Sequence, residues 1–170
     1  MQEVKDAIPG LTYNDDDVRI NSLIKVSRQL AEDITNLRLY TQTIDISYDY
    51  FPKGKFDLGI WPLQSIDSVK YYDTNSPSIQ QTLTVNTDYY ADTTVIGGRI
   101  WVESIWPSIY DKPNAVTVRV TAGYSSRDNI PEKIKEGIKL HVQGLYDGDM
   151  ELMKVAEKIL FSARMEMHRD

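Results

Sequence analysis

Apolar positions recur along this chain first at three- and four-residue steps, then at steps of two, then again at three to four. Ile20, Leu23, Ile24, Ser27, Leu30, Ala31, Ile34 and Leu37 draw one stripe, with Arg19, Lys25, Arg28 and Glu32 off it. That spacing predicts an amphipathic helix of about six turns. It begins at Asn14 or Asp15, where the run Asn14 to Asp17 supplies a capping oxygen and places negative charge at the positive end of the helix dipole. Ahead of it, Glu3 to Ile8 predicts a short helix stopped by Pro9-Gly10. From Gln42 the period becomes two: Ile44, Ile46, Tyr48 and Tyr50 alternate with Thr43, Asp45, Ser47 and Asp49, the pattern of a strand with one wet face. Further short strands are expected over Lys55 to Ile60, Gln64 to Tyr72, Ile79 to Val85, Thr93 to Ile96, Arg99 to Glu103 and Ala115 to Thr121. Gly97-Gly98 predicts a two-residue hairpin turn between Val95-Ile96 and Ile100-Trp101-Val102, and consecutive hairpins give a mostly antiparallel sheet. After Gly123 the helical period returns. Pro131 suits a first turn, and Ile134, Ile138, His141 or Val142, and Leu145 lie along one face. Asp147-Gly148-Asp149 breaks this helix. A last one, about Met150 to His168, carries Met153, Ala156, Leu160, Ala163 and Met167 on one side.

These elements give an α+β protein. Helices at both ends pack as a small bundle around or beside a central, mostly antiparallel β-sheet. The expected organisation is one domain over 1–170, made of N-terminal helices (1–40), an antiparallel β subdomain (41–122) and C-terminal helices (123–170). A length of 170 residues with 41% hydrophobic and 26% charged residues suits one such core. The absence of cysteine rules out thiol catalysis, iron–sulfur clusters and cysteine zinc sites. A net charge of -6 is the wrong sign for gripping phosphates over a broad face. The opening residues Met1 to Asp6 hold no apolar run of a secretory signal, and no stretch approaches the about 18 apolar residues of a membrane helix. The expectation is a soluble chain without an export signal and without a membrane partner.

Candidate chemistry is sparse. Asp15, Asp16 and Asp17 could offer hard oxygens to a divalent metal but read better as helix capping. Asp147-Gly148-Asp149 lacks the ligand alternation of a calcium loop and reads as a helix–helix turn. A nucleophile–base pair would have to be built on His141 or His168 with a serine or threonine brought near in space. No G-x-S-x-G elbow accompanies either, so His141 reads as a core-edge or surface residue and His168 as exposed. Gly97-Gly98-Arg99 is too short for a phosphate loop. The aromatics carry more weight, since nine of eleven tyrosines and Trp61, Trp101 and Trp106 fall between Tyr40 and Tyr124. They divide between core packing, protein interface, and a stacking platform for sugars or single strands. Met150, Met153, Phe161, Met165 and Met167 crowd the last helix with flexible apolar side chains. That pattern serves either plain packing or an adaptable partner-docking tail.

The order of several short segments is informative: Leu37 to Thr43, Phe51-Pro52-Lys53-Gly54, Trp61-Pro62-Leu63-Gln64-Ser65-Ile66 and Val69 to Asp73, then Asp88-Tyr89-Tyr90, Gly98-Arg99-Ile100, Trp106-Pro107, Asp111 to Val118, Thr121-Ala122-Gly123-Tyr124 and Ile130-Pro131. In that order and spacing the sequence resembles the head–tail connector (adaptor, head completion) proteins of tailed bacteriophages over nearly its whole length. It departs from them in starting its first short helix almost at Met1. The resemblance implies a structural protein of the virion neck with no catalytic residue, cofactor or metal. Such a protein forms a homo-oligomeric ring, commonly a dodecamer, that joins the portal protein to the tail or stopper protein after DNA packaging, and DNA passes through it without specific binding. It implies location in the virion neck, and in the bacterial host cytoplasm during assembly. On this reading Trp61, Trp101 and Trp106 contribute to neighbour or tail contacts, and Phe161, Met165 and Met167 dock toward the portal. The rival reading is a carbohydrate- or ligand-binding β-rich module of a tail or cell-surface protein.

Overall fold

The computed structural model describes residues 17–165. Two compact units divide these residues, a helical one (17–39 and 126–165) and a β one (40–125). The class is α+β: among the described residues there are three α-helices, and two sheets in which every strand pair is antiparallel. The short helix expected over Glu3 to Ile8 lies outside the described residues.

In the helical unit, α1 (Asp17–Thr35) buries Ile20, Ser27, Ala31 and Thr35. Leu23 and Ile24 of the same stripe pack on the Ile20–Val142 cluster. The helix ends two residues before Leu37, because Asn36 takes a left-handed φ of 59°, a conformation asparagine tolerates better than most residues. Past that turn, Leu37 and Leu39 are buried, and the Leu39 amide donates to Glu32 Oε1 at 2.8 Å. A 3₁₀ turn (Arg127–Asn129) leads to α2 (Glu132–Asp147), which buries Ile134, Gly137, His141, Val142 and Gly144. Pro131 stands just outside α2, its carbonyl accepting from the Ile134 and Lys135 amides. Gly148, at φ 73°, closes this helix, and Asp149 Oδ1 accepts from the Glu151 and Leu152 amides to open α3 (Met150–Phe161). The sequence Asp147-Gly148-Asp149 is thus a helix–helix turn.

α2 and α3 cross closely at two glycines. A Cβ on Gly137 would lie 2.7 Å from Leu160 Cδ2, and one on Gly144 2.7 Å from Met153 Cγ. α3 stops well short of His168. Instead of a further turn, the Met165 amide donates to the Thr35 carbonyl at 2.9 Å, and Lys133 Nζ donates to the Ser162 carbonyl. These ties hold residues 162–165 against the ends of α1 and α2 and outweigh the helical periodicity of that segment.

The β unit contains β1 (Gln42–Tyr48), β2 (Phe56–Asp57), β3 (Leu63–Tyr72), β4 (Gln80–Leu83), β5 (Tyr89–Asp92), β6 (Arg99–Val102) and β7 (Val116–Ala122). One sheet has the order β1-β7-β3-β4 and the other β2-β6-β5. Both line one core. Val116, Val118 and Val120 of β7 are fully buried, joined by Val69, Leu83, Tyr89, Ile100 and Phe56. The opposite face of the larger sheet is polar, with Thr43, Asp45 and Ser47 alternating with the half-buried Ile44, Ile46 and Tyr48. There Arg119 makes two bonds of 2.7 Å to Asp45.

Two expectations are corrected here. Thr93 to Ile96 is not a strand; β5 lies just before it, at Tyr89–Asp92. The hairpin between β5 and β6 exists, but Asp92 pairs with Arg99, so its loop is six residues long instead of two. Asp92 Oδ1 accepts from the amide and hydroxyl of Thr94, and the Gly98 amide donates to Val95. This local Asx turn competes with ladder pairing and ends the strand early.

Candidate functional site

Three of the segments that carry the family resemblance meet at one corner of the β unit. The Gly123 amide donates to the Pro62 carbonyl at 2.8 Å. Gln64 Nε2 donates to the Gly123 carbonyl at 2.7 Å and to Thr41 Oγ1 at 2.9 Å, and Thr41 Oγ1 donates to the Tyr124 carbonyl. Gly123 has φ 110°, and a Cβ there would sit 1.9 Å from the Tyr40 carbonyl oxygen, so only glycine lets the two backbones pass. The corner fixes where the chain enters β1 and leaves β7. Its parts lie at Tyr40-Thr41, Pro62 to Gln64 and Ala122 to Tyr124, and the sequence could show them only as an ordered set.

The tryptophans do not gather into one platform. Trp106 is half-buried, stacked on Phe51 at 4.5 Å and tilted against Phe56 at 5.8 Å. Phe56 pairs with Ile100 on the buried face of the smaller sheet, whereas Trp101 pairs with Tyr90 on the other face. Trp101 and Trp106 therefore stand on opposite sides of that sheet. Trp101 is 40% exposed beside Tyr90, with the Arg99 guanidinium 5.4 Å from its ring and Arg99 Nε 2.6 Å from Asp57. Hydrogen bonding to Glu103 raises the Tyr90 phenol above its ordinary value. Trp61 is half-buried at the entrance to β3, before Pro62. The tyrosine pairs split likewise. Tyr71 packs into the core, while Tyr72 carries Lys112 Nζ over its ring; Tyr89 is buried and Tyr90 exposed.

On the helical unit, Phe161 is 62% exposed at the end of α3, with Arg164 near its ring. Met165 is half-buried, and its amide donates to the Thr35 carbonyl. Met167 lies outside the described residues, as do Asp15, Asp16 and His168.

A serine does come to a histidine. Ser27 Oγ lies 2.8 Å from His141 Nδ1, both side chains buried, and desolvation lowers the His141 pKa. Ser27 is wholly inaccessible, so the pair is a satisfied polar contact between α1 and α2 and offers no nucleophile to a substrate. The sequence signal for it was only that Ser27 lay on the apolar stripe of α1 and His141 on that of α2. Among the described residues no cluster of His, Cys, Asp or Glu is arranged to hold a metal. No described helix is long and apolar enough to cross a membrane.

Among the described residues this arrangement is a unit of three α-helices and a β unit of two sheets, with polar groups engaged in corners, caps and helix contacts. Solved chains from a gene transfer agent particle carry the same fold. One comes from the neck of an empty particle computed with C6 symmetry and one from the virion of the native particle. Each has a TM-score of 0.75 and 16% identity, and the match covers 99% of this chain and 90% of the other. A third, from the neck of the native particle computed with C12 symmetry, matches with a TM-score of 0.71 and 14% identity, over 99% of this chain and 89% of that one. No protein-family model and no curated protein matches the sequence.

Proposed function

We propose that the chain is a structural neck protein, a head–tail connector whose copies form a ring between the portal and the tail or stopper of a phage-like particle. The observation that carries this is the fold shared end to end with neck and virion chains of a gene transfer agent, over 99% of this chain. The C12 symmetry of one such neck supports a dodecamer. A ring of identical copies needs two unlike surfaces per copy that fit each other and close. The exposed end of α3 with Phe161 faces the portal in this reading, and the Trp101–Tyr90 face contributes to contacts with neighbours or tail. The protein catalyses no reaction and needs no cofactor. Its charge of -6 suits a passage that DNA crosses without sticking. Copies are made in the host cytoplasm and end in the virion neck.

Negative-stain microscopy with light scattering tests the reading on the full chain, alone and mixed with the portal protein of the same particle. Rings are expected, at the latest when portal is present. A monomer that ignores the portal, and whose tryptophan fluorescence is instead quenched by a glycan, would refute it.

A further inference from the structure

Both edges of the four-stranded sheet are open and fit each other. At one edge β1 pairs only with β7, and at the other β4 pairs only with β3. Among the described residues, neither strand makes a backbone hydrogen bond on its outer side. Proteins normally blunt such edges with lysine or other charges, proline, a bulge or a very short strand, and of these only the shortness of β4 applies fully here. Neither Gln42–Tyr48 nor Gln80–Leu83 contains a lysine or proline. The one charge on them, Asp45, is bonded within the sheet by Arg119, and the register shifts fall inside β3.

The strand directions also match. Four strands that alternate in direction leave β1 and β4 antiparallel to each other, so β4 of one copy laid against β1 of the next continues an antiparallel ladder. The faces agree as well. Ser47, Thr117, Lys70 and Thr82 form one row across the polar face, and Ile46, Val118, Val69 and Leu83 the next row on the core face. Joining copies sets Thr82 and Gln80 among Thr43, Asp45 and Ser47, and Leu83 beside the half-buried Ile44, Ile46 and Tyr48. No charge meets a like charge.

From these matching edges we propose that the ring is built by sheet continuation: β4 of each copy pairs antiparallel with β1 of its neighbour, a head-to-tail contact between second copies of this chain. It rests on the ring reading above. Strands about 4.8 Å apart give about 19 Å per copy, hence about 230 Å around twelve copies before strand tilt widens it. That corresponds to a diameter of about 70 Å. A four-residue ladder is short, so the contact is weak between two free copies and gains from closure of the ring, where each copy is held on both sides.

A chain without cysteine makes the test clean. Two double variants, Thr82→Cys with Ser47→Cys and Thr82→Cys with Thr43→Cys, cover neighbouring registers at exposed polar-face positions. Mild oxidation of assembled rings is expected to give a ladder of covalent multiples on denaturing gels for at least one of them, and no multiples beyond dimers for the single variants. In the unaltered protein, hydrogen exchange at alternate amides of β1 and β4 is expected to slow by about tenfold or more on ring formation, with β7 unchanged. Rings that form without the ladder and without the slowing overturn edge pairing and leave the neck reading standing. Failure to form rings even with portal overturns both.

Discussion

The contact between Ser27 and His141 spans 114 residues of sequence and is buried on both sides. Removing the hydroxyl leaves the imidazole nitrogen without its partner, so Ser27→Ala should cost about 1–3 kcal/mol in urea unfolding. Burial holds the His141 pKa below its ordinary 6.5, outweighing the opposing charge of Glu157. The folded state therefore binds fewer protons than the unfolded one near that pH. Well above 6.5 both states are neutral at this site and stability is full; it falls as pH drops through 6.5 and on toward the lower folded value. Asp45, Asp92 and Glu132 are all shifted downward, so their contributions fade only at more acid pH. The urea midpoint should decline between pH 7 and pH 5, and His141→Asn should flatten that slope. At Gly123, alanine would combine a left-handed φ with a Cβ driven into the Tyr40 carbonyl. We expect a loss of about 3–5 kcal/mol, read as a lowered melting temperature or failure to fold.

At the scale of elements, the crossing of α2 and α3 gives an unusual sign. In a bare helix Gly137→Ala would gain up to about 1 kcal/mol, but here the methyl must displace the fully buried Leu160, which costs about 1–3 kcal/mol. A net loss is expected in the urea midpoint, and a net gain would mean that Leu160 moves aside freely. Element types were legible because periodicity reports which side of a segment is apolar. The stripe from Ile20 to Ala31 and the alternation from Val116 to Val120 both fold as read. Ends were legible only where a local signal set them, as at Gly148 and Asp149. They were missed where a bond to a distant partner or a side-chain turn intervened. Residues 162–165 leave the helical path for Thr35 and Lys133, and Asp92 turns the chain at Thr94 before Thr93 to Ile96 can pair.

At the scale of the whole molecule, the proposed assembly depends on surface chemistry. Phe161→Ser alters a side chain that is 62% exposed, so the unfolding free energy from urea titration should stay within about 0.5 kcal/mol, while on the proposed neck reading co-sedimentation with the portal protein is lost. Retained portal binding would remove α3 from that contact. Serine at Met165 is a poorer probe, since that residue is half-buried. By itself the sequence determined the class of the fold, the faces of its helices and strands, and the lack of thiol chemistry, because these follow from local periodicity and residue inventory. The candidate interface aromatics were visible as a concentration between Tyr40 and Tyr124. Only the tertiary structure decided that Trp101 and Trp106 stand on opposite sides of a sheet. It alone decided that Ser27 meets His141, and that β1 and β4 end the larger sheet, their outer sides unpaired among the described residues. Sheet order and side-chain partners are set by burial between segments far apart in the chain, and no local pattern of residues encodes which segments those will be.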